Sequence, residues 1–533
     1  MGVVLLLVLL VGLTACGDDD EPSGGGDALP PTTGAAEGDP STTSASEASD
    51  VDPDGVLRIG VDLTSGGQRF LDPVDENTPS EFHIHYNIYG TLLRQLEDGS
   101  YEPGLATRAE IVDARRIDVE LRAGVTFSDG TPLTAEDVKF SIERNIAANK
   151  PAPFRMEELG NVAEVEVTGP ETFTIHLKEP TAGSFFNLLA HNETMPVSKR
   201  AVESGVDLNV QPIGAGPFTL VSQDNQHIVL EKNPRYWAAD RVRLAGIEYV
   251  HVAAGQAAIP LQSGVVDVMA TSFLVNNEFR RTDVEVRSEK SHDAVVWVSM
   301  QCPEGSPLHD VRVRQALNFA TDGAAINELV FGGVGEEMSQ FWPESSPFFN
   351  PELKGKYSRD IGRAAALLAE AGHAELPLKV AVVPGLNTRI AEILQAQWAE
   401  AGIDVELVPT SNIVQDYYLD KRMDLFVTTQ SRSWTDKITK NFVGGNACRW
   451  AAQDPQFSAE VLELRGADPA GPEAVESWHE VSATLADNAY AVFLLMGTVD
   501  NAWNDDRLGN PSWTPTQVGV LYPDVHAVYV KQT

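Results

Sequence analysis

Apolar and polar positions follow two rhythms along this chain. Leu57-Arg58-Ile59-Gly60-Val61 reads as a strand that ends in the glycine-rich turn Ser65-Gly66-Gly67. Arg116-Ile117-Asp118-Val119-Glu120-Leu121 and Phe173-Thr174-Ile175-His176-Leu177 step with period two and predict half-buried strands. Ile84 to Leu96 instead spaces its apolar residues for a helix. Leu378-Lys379-Val380-Ala381-Val382-Val383 predicts a buried strand, broken at Pro384-Gly385. A helix is expected from Thr388 to Ala401, with Gly402 just past its end and Ile403-Asp404-Val405-Glu406-Leu407 as the next strand. Strand–helix–strand order predicts α/β layers with parallel pairing.

The amino-terminal segment follows neither rhythm. Val3 to Leu13 is an unbroken apolar run, about half the length a transmembrane helix needs, and it fits the apolar core of a secretory signal. Leu13-Thr14-Ala15-Cys16-Gly17 follows directly and resembles the bacterial lipobox. The resemblance implies cleavage before Cys16, so that residues 1–15 are a signal peptide and the Cys16 thiol carries a lipid. No Lys or Arg precedes Arg58, so the usual positive start of such a signal is missing, which suggests a true translation start upstream of Met1. Gly17 to about Asp54 is Gly, Ser, Thr, Pro, Ala and acidic residues. With almost nothing to bury, residues 16–54 are expected to be a disordered acidic tether.

Charge narrows the partners. The chain of 533 residues has 77 acidic and 39 basic side chains, a formal net charge of −38. Such a surface repels nucleic acid and anionic lipid headgroups and disfavours both as partners. A chain of this length can bury more than one core. Beyond Cys16, two cysteines remain, Cys302 and Cys448. In an exported protein such a pair suggests one disulfide, with two separately buried thiols as the alternative.

The most specific string runs from Leu121 to Ser141: Leu121-Arg122-Ala123-Gly124-Val125-Thr126-Phe127-Ser128-Asp129-Gly130-Thr131-Pro132, then Thr134-Ala135-Glu136-Asp137-Val138. Asp129-Gly130 supplies the positive φ angles of a tight turn. Thr134 caps a helix, with Asp137 approximating a capping box and Val138 and Ile142 facing inward. The string resembles the signature of the extracellular solute-binding proteins of family 5, the dipeptide-, oligopeptide- and nickel-binding proteins of ABC importers. Gly214-Ala215-Gly216-Pro217-Phe218, Asn233-Pro234-Arg235-Tyr236-Trp237, Leu261 to Asp267 and Asp310 to Leu317 resemble further family segments in the same order. The resemblance implies an α/β, bilobed periplasmic-binding-protein-like fold of class II, a three-domain cluster with a hinge between lobes. It places a discontinuous domain at residues 55–92, 207–292 and 497–533, a small inserted domain at 93–206 and a C-terminal domain at 293–496.

Nothing in the chain competes as a catalyst. It has no G-x-S-x-G elbow, no phosphate loop, no H-E-x-x-H and no G-x-G-x-x-G. His83 and His85 could chelate a metal, but two histidines without a third ligand read better as hydrogen-bonded side chains. No enzyme activity, cofactor or metal is expected.

The candidate ligand contacts follow from strand ends. Asn387-Thr388-Arg389 opens a helix directly after a strand, so free N–H groups and the positive dipole end face the crevice. This segment resembles the part of dipeptide-binding members where an Arg contacts the ligand carboxylate, which makes Arg389 and Asn387 candidates. After the strand at Leu425, peptide-binding members carry an Asp for the ligand amine in a W-x-x-D-x-x-D-P-like pattern. Here Trp434 and Asp436 are present, but the spacing is one residue shorter and the closing Asp-Pro is absent. Arg432 suggests a further negative group on the ligand. Phe70, Trp297 and Trp434 are the candidate aromatic contacts.

The expected function is therefore extracytoplasmic capture of a peptide or other small acidic solute. The protein would be a monomeric lipoprotein on the outer face of the cytoplasmic membrane, serving an ABC permease and its ATPase. A ligand sensor for a membrane receptor is the alternative, and a secreted hydrolase a remote one.

Overall fold

Two six-stranded sheets and one four-stranded sheet carry the fold in a computed structural model. It describes residues 50–63, 71–75, 79–96, 100–148, 157–253, 256–270, 291–302, 305–344, 346–383, 386–410, 412–431, 438, 442, 454–467, 472–499, 501–504, 506–510, 512–515 and 521–532. The first sheet runs Asn501–Trp503, Val268–Ala270, Val56–Val61, Gly246–His251, His227–Lys232, Phe218–Gln223. Val56–Val61 is parallel to both of its neighbours, and the remaining pairs are antiparallel. The second runs Glu336–Glu337, Val492–Val499, Ser291–Met300, Leu425–Ser431, Leu376–Val382, Ile403–Pro409. There Leu376–Val382 is parallel to Ile403–Pro409 and to Leu425–Ser431. The four-stranded sheet is antiparallel and consists of two hairpins, residues 106–121 and 162–177, joined where Arg116–Leu121 pairs with Thr172–Leu177.

Burial divides these sheets into two lobes. Residues of the first sheet and the four-stranded sheet share one apolar core, and the second sheet has its own. The chain crosses between the six-stranded sheets within one residue: Val499 pairs with Ser291 in the second, and Asn501 pairs with Ala270 in the first. Such an abrupt change of sheet is the geometry of a hinge.

Local chemistry accounts for several elements. In Arg116–Leu121 the alternate residues Ile117, Val119 and Leu121 are buried, as period two requires. Helix Ala135–Ala147 opens with a capping box in which the Thr134 N–H donates to Asp137 Oδ2 at 3.0 Å. Asp137 Oδ1 also accepts from the Lys199 N–H at 3.0 Å, so one carboxylate fixes two segments. In the preceding turn only Gly130 takes a positive φ, +85°, while Asp129 stays in the ordinary region and accepts the Thr131 N–H. The expectation of two positive φ angles there is corrected accordingly.

A second correction concerns Ile84 to Leu96. The helix is Pro79–Tyr89, and Leu93–Gln95 is a strand paired with Tyr101–Pro103. Gly90 stops the helix at φ +72°, and the carbonyls of Thr91 and Leu92 turn outward to accept from Leu105, Gly104 and Ala106. Helical spacing persisted past a break that one glycine enforces.

Candidate functional site

In open α/β sheets a ligand lies outside the carboxyl ends of the parallel strands. In the first lobe those ends are Val61 and His251, followed by Asp62, Leu63 and Val252. The Leu63 N–H donates to His251 Nδ1 at 3.1 Å, which leaves the ring proton on Nε2. Asp62 Oδ1 lies 3.7 Å from the same Nδ1. Asp62 and His251 are thus polar groups at the strand edge that the motif reading passed over. Asp62 had a usable signal, since it directly follows a predicted strand. His251 had none, because its strand was not recognised from the sequence.

The chain after Asp62 and Leu63 returns at Leu71, where it is tied down firmly. The N–H groups of Leu71 and Asp72 donate to Asn209 Oδ1 at 2.9 and 3.1 Å, and the Tyr89 hydroxyl donates to the Leu71 carbonyl at 2.9 Å. The Asp72 carboxylate accepts from Arg144 Nη1 and Nη2 at 2.7 and 2.5 Å, a two-point pair that fixes orientation as well as distance. Its hydrogen bonds to Asp72 hold the Arg144 guanidinium above its ordinary value. Phe70, the candidate contact just ahead of this anchor, lies outside the described residues.

Beneath this edge, helix Pro79–Tyr89 buries Glu81, His83, His85 and Asn87. The His83 carbonyl accepts from Asn87 Nδ2 and from the Tyr249 hydroxyl. The His85 ring faces Asn192, whose Nδ2 lies 3.3 Å from its Nδ1. Two residues apart on a helix, the rings point to different sides and do not converge. Among the described residues no group of three or more His, Cys, Asp or Glu could hold a metal ion. Burial lowers the His83 imidazole to about 4 and the His191 imidazole to about 3.

In the second lobe, strand Leu376–Val382 leads into helix Leu386–Ala399. The Thr388 hydroxyl donates to the Val383 carbonyl at 3.0 Å and staples the helix start to the strand end. Asn387 is half-buried and Arg389 exposed. Arg389 Nη2 donates to the Leu329 carbonyl at 2.8 Å, which leans the side chain toward that turn and leaves other guanidinium donors for a ligand. Trp297 is placed in the core, 1% exposed, with its ring centroid 5.5 Å from Phe442 and 6.5 Å from Phe493. It supports the sheet from beneath. Arg432, Trp434, Asp436 and Cys448 lie outside the described residues, as does Cys16. Cys302 is disulfide-bonded and buried.

One motif residue proves to be architectural. Asp267, from the Leu261–Asp267 segment, is fully buried and accepts from the Arg58 N–H, Nε and Nη2 at 3.0, 3.1 and 2.6 Å. Arg507 Nε lies 2.9 Å from its Oδ1. The carboxylate thereby joins the central strand of the first sheet to the segments flanking it.

Comparison with known proteins agrees with this architecture. The family model described as bacterial extracellular solute-binding proteins, family 5 Middle, matches residues 100–443. The periplasmic oligopeptide-binding protein OppA of Escherichia coli (strain K12) is 27% identical over 63% of this chain and 68% of its own. The glutathione-binding protein GsiB of Salmonella typhi is 28% identical over 60% of this chain and 62% of its own. Among solved structures, the periplasmic binding protein DppA from Helicobacter pylori in complex with peptide STSA superposes with a TM-score of 0.73 at 19% identity, covering 92% of this chain and all of that one. The ABC transporter substrate-binding protein CtaP of Listeria monocytogenes gives 0.75 at 22% identity, over 90% of this chain and 100% of that one. At these identities the structures establish the fold, a bilobed periplasmic-binding-protein fold.

Proposed function

The chain belongs to the bacterial extracellular solute-binding proteins of family 5, and from that premise we propose that it captures a peptide or other small acidic solute outside the cytoplasmic membrane and delivers it to an ABC permease. The observation that carries the ligand class is the second lobe's strand–helix junction. Arg389 stands in the first turn of helix Leu386–Ala399, directly after a parallel strand. The helix's first-turn N–H groups, at the positive end of its dipole, and the guanidinium together favour a carboxylate or similar anion. OppA and GsiB, named for binding oligopeptides and glutathione, support a peptide-sized ligand.

Anchoring at Cys16 belongs to the same proposal. Leu13-Thr14-Ala15-Cys16 offers the lipidation site, and among the described residues no helix is long and apolar enough to cross a membrane. Val51 bridges Lys531, and the Gln532 N–H donates to the Asp50 carbonyl at 2.8 Å. A tether from Cys16 therefore enters the fold where the carboxyl end is fastened. The domain boundaries expected from the family resemblance remain our working division. We read the protein as a binding protein and not an enzyme.

Calorimetric titration with short peptides, in parallel with esterified versions lacking the free carboxylate, tests the ligand class. Binding confined to the free acids supports the proposal. Equal affinity for acid and ester contradicts the role given to Arg389.

A further inference from the structure

Away from the hinge strands, the two lobes touch through backbone. The Ser184 N–H donates to the Arg465 carbonyl at 3.0 Å. This joins the short helix Ala182–Phe186, beside the four-stranded sheet, to the end of helix Pro455–Leu464 in the second lobe. The approach leaves no room for side chains. A Cβ on Gly183 would lie 1.8 Å from the Ala467 carbonyl oxygen, and one on Gly466 would lie 2.8 Å from both Ala114 Cβ and the Pro180 carbonyl oxygen. Both sides are held from behind. The N–H groups of Gly466 and Ala467 donate to Glu463 and Leu464, and that of Ala182 donates to Ala114. Neither face can yield locally, because packed backbone resists such overlap far more than a flexible side-chain tip does.

We propose that this contact is a closure latch, which must break whenever the lobes part and whose strength sets how fast a captured solute leaves. It uses none of the strands that cross between the lobes, so it is a second join, independent of the hinge. Closure in binding proteins rotates the lobes about such a hinge. A contact made only in the closed form slows opening and hence release, which is where most differences in affinity reside. The consequence for solute rests on the binding function proposed above, whereas the latch itself does not.

The test is small-angle X-ray scattering on the ligand-free full chain, with hydrogen exchange at the Ser184 amide to localise any change. Gly183→Ala and Gly466→Ala should each raise the radius of gyration and speed Ser184 exchange at least tenfold. Gly160→Ala is the control, because a Cβ there meets nothing within 4 Å, and it should match the wild type. Two separate glycines keep the test decisive if one variant fails to fold by circular dichroism. Folded variants that scatter like the wild type overturn the latch. Where a solute is in hand, its dissociation should be about tenfold faster from the two latch variants. Variants that open although no solute binds leave the latch standing and count against the transport function.

Discussion

Asp267 and Arg58, 209 residues apart in the chain, meet as a two-point ion pair whose carboxylate is 1% exposed and whose guanidinium is 27% exposed. The hydrogen bonds that it donates to Asp267 keep the Arg58 guanidinium above its ordinary value. Arg507 adds a second cation to the same carboxylate. Asp267→Asn leaves two arginines facing a neutral amide where a charge was. A fully buried pair broken this way costs about 3–5 kcal/mol. Both guanidiniums here are partly solvated, so the expected loss is about 2 kcal/mol. Urea unfolding checks it, and a loss below about 0.5 kcal/mol would mark the pair as incidental.

Acid should unfold the first lobe for a specific reason. His83 and His191 are buried and the His526 side chain is only 6% exposed, and burial lowers their imidazoles to about 4, 3 and 4. At His526 the Arg94 guanidinium adds to that effect, with its Nη1 2.8 Å from Nδ1. Unfolded histidine takes its proton near pH 6.5, so below that pH the unfolded chain binds protons that the folded one refuses. The stability from keeping these rings neutral is thus complete above about pH 6.5 and lost as pH falls toward 4, on the order of 3 kcal/mol for each ring. Thermal melts between pH 7 and 4 should show a steep fall that His191→Asn makes shallower. An unchanged slope in that variant contradicts the assignment.

Local chemistry was legible in the sequence and distant partnership was not. Thr134 and Asp137 announce their capping box because both partners lie within one turn. The parallel pairing of Leu376–Val382 with Ile403–Pro409 follows from strand–helix–strand order. The Asp267–Arg58 pair has no local sign, since its partners are brought together only by the completed sheet. Arg389 was visible as a helix-start cation, yet its bond to the Leu329 carbonyl depends on a turn 60 residues earlier. Trp297 was a candidate contact of a type more often found in the core, and the packing of Phe442 and Phe493 against it places it there.

Arg389→Ala is expected to weaken ligand binding roughly ten- to a hundredfold, the equivalent of about 1.5–3 kcal/mol for charge-assisted hydrogen bonds. Arg389→Lys should recover only part, because a point charge lacks the bidentate geometry. Asp436→Asn should matter less, since the amine-binding pattern around it is incomplete. Calorimetry on the three variants gives the ordering, and near-native affinity in Arg389→Ala assigns that side chain to the surface.

Cys302 is disulfide-bonded, and Cys448 is the partner we expect. Closing so long a loop stabilises by at most roughly 5 kcal/mol in chain-entropy models. Thiol labelling of the unfolded, unreduced Cys16→Ser protein should find no free thiol. Two labelled cysteines would refute the pairing.

The central claim is capture without chemistry. Native mass spectrometry of the purified protein mixed with a library of di- to pentapeptides tests it most directly. The account predicts a one-to-one complex with selected peptides, each recovered at its original mass after denaturation. Peptides recovered cleaved would make the protein a hydrolase, and the absence of a complex with any peptide or with solutes extracted from its own host would contradict solute binding itself.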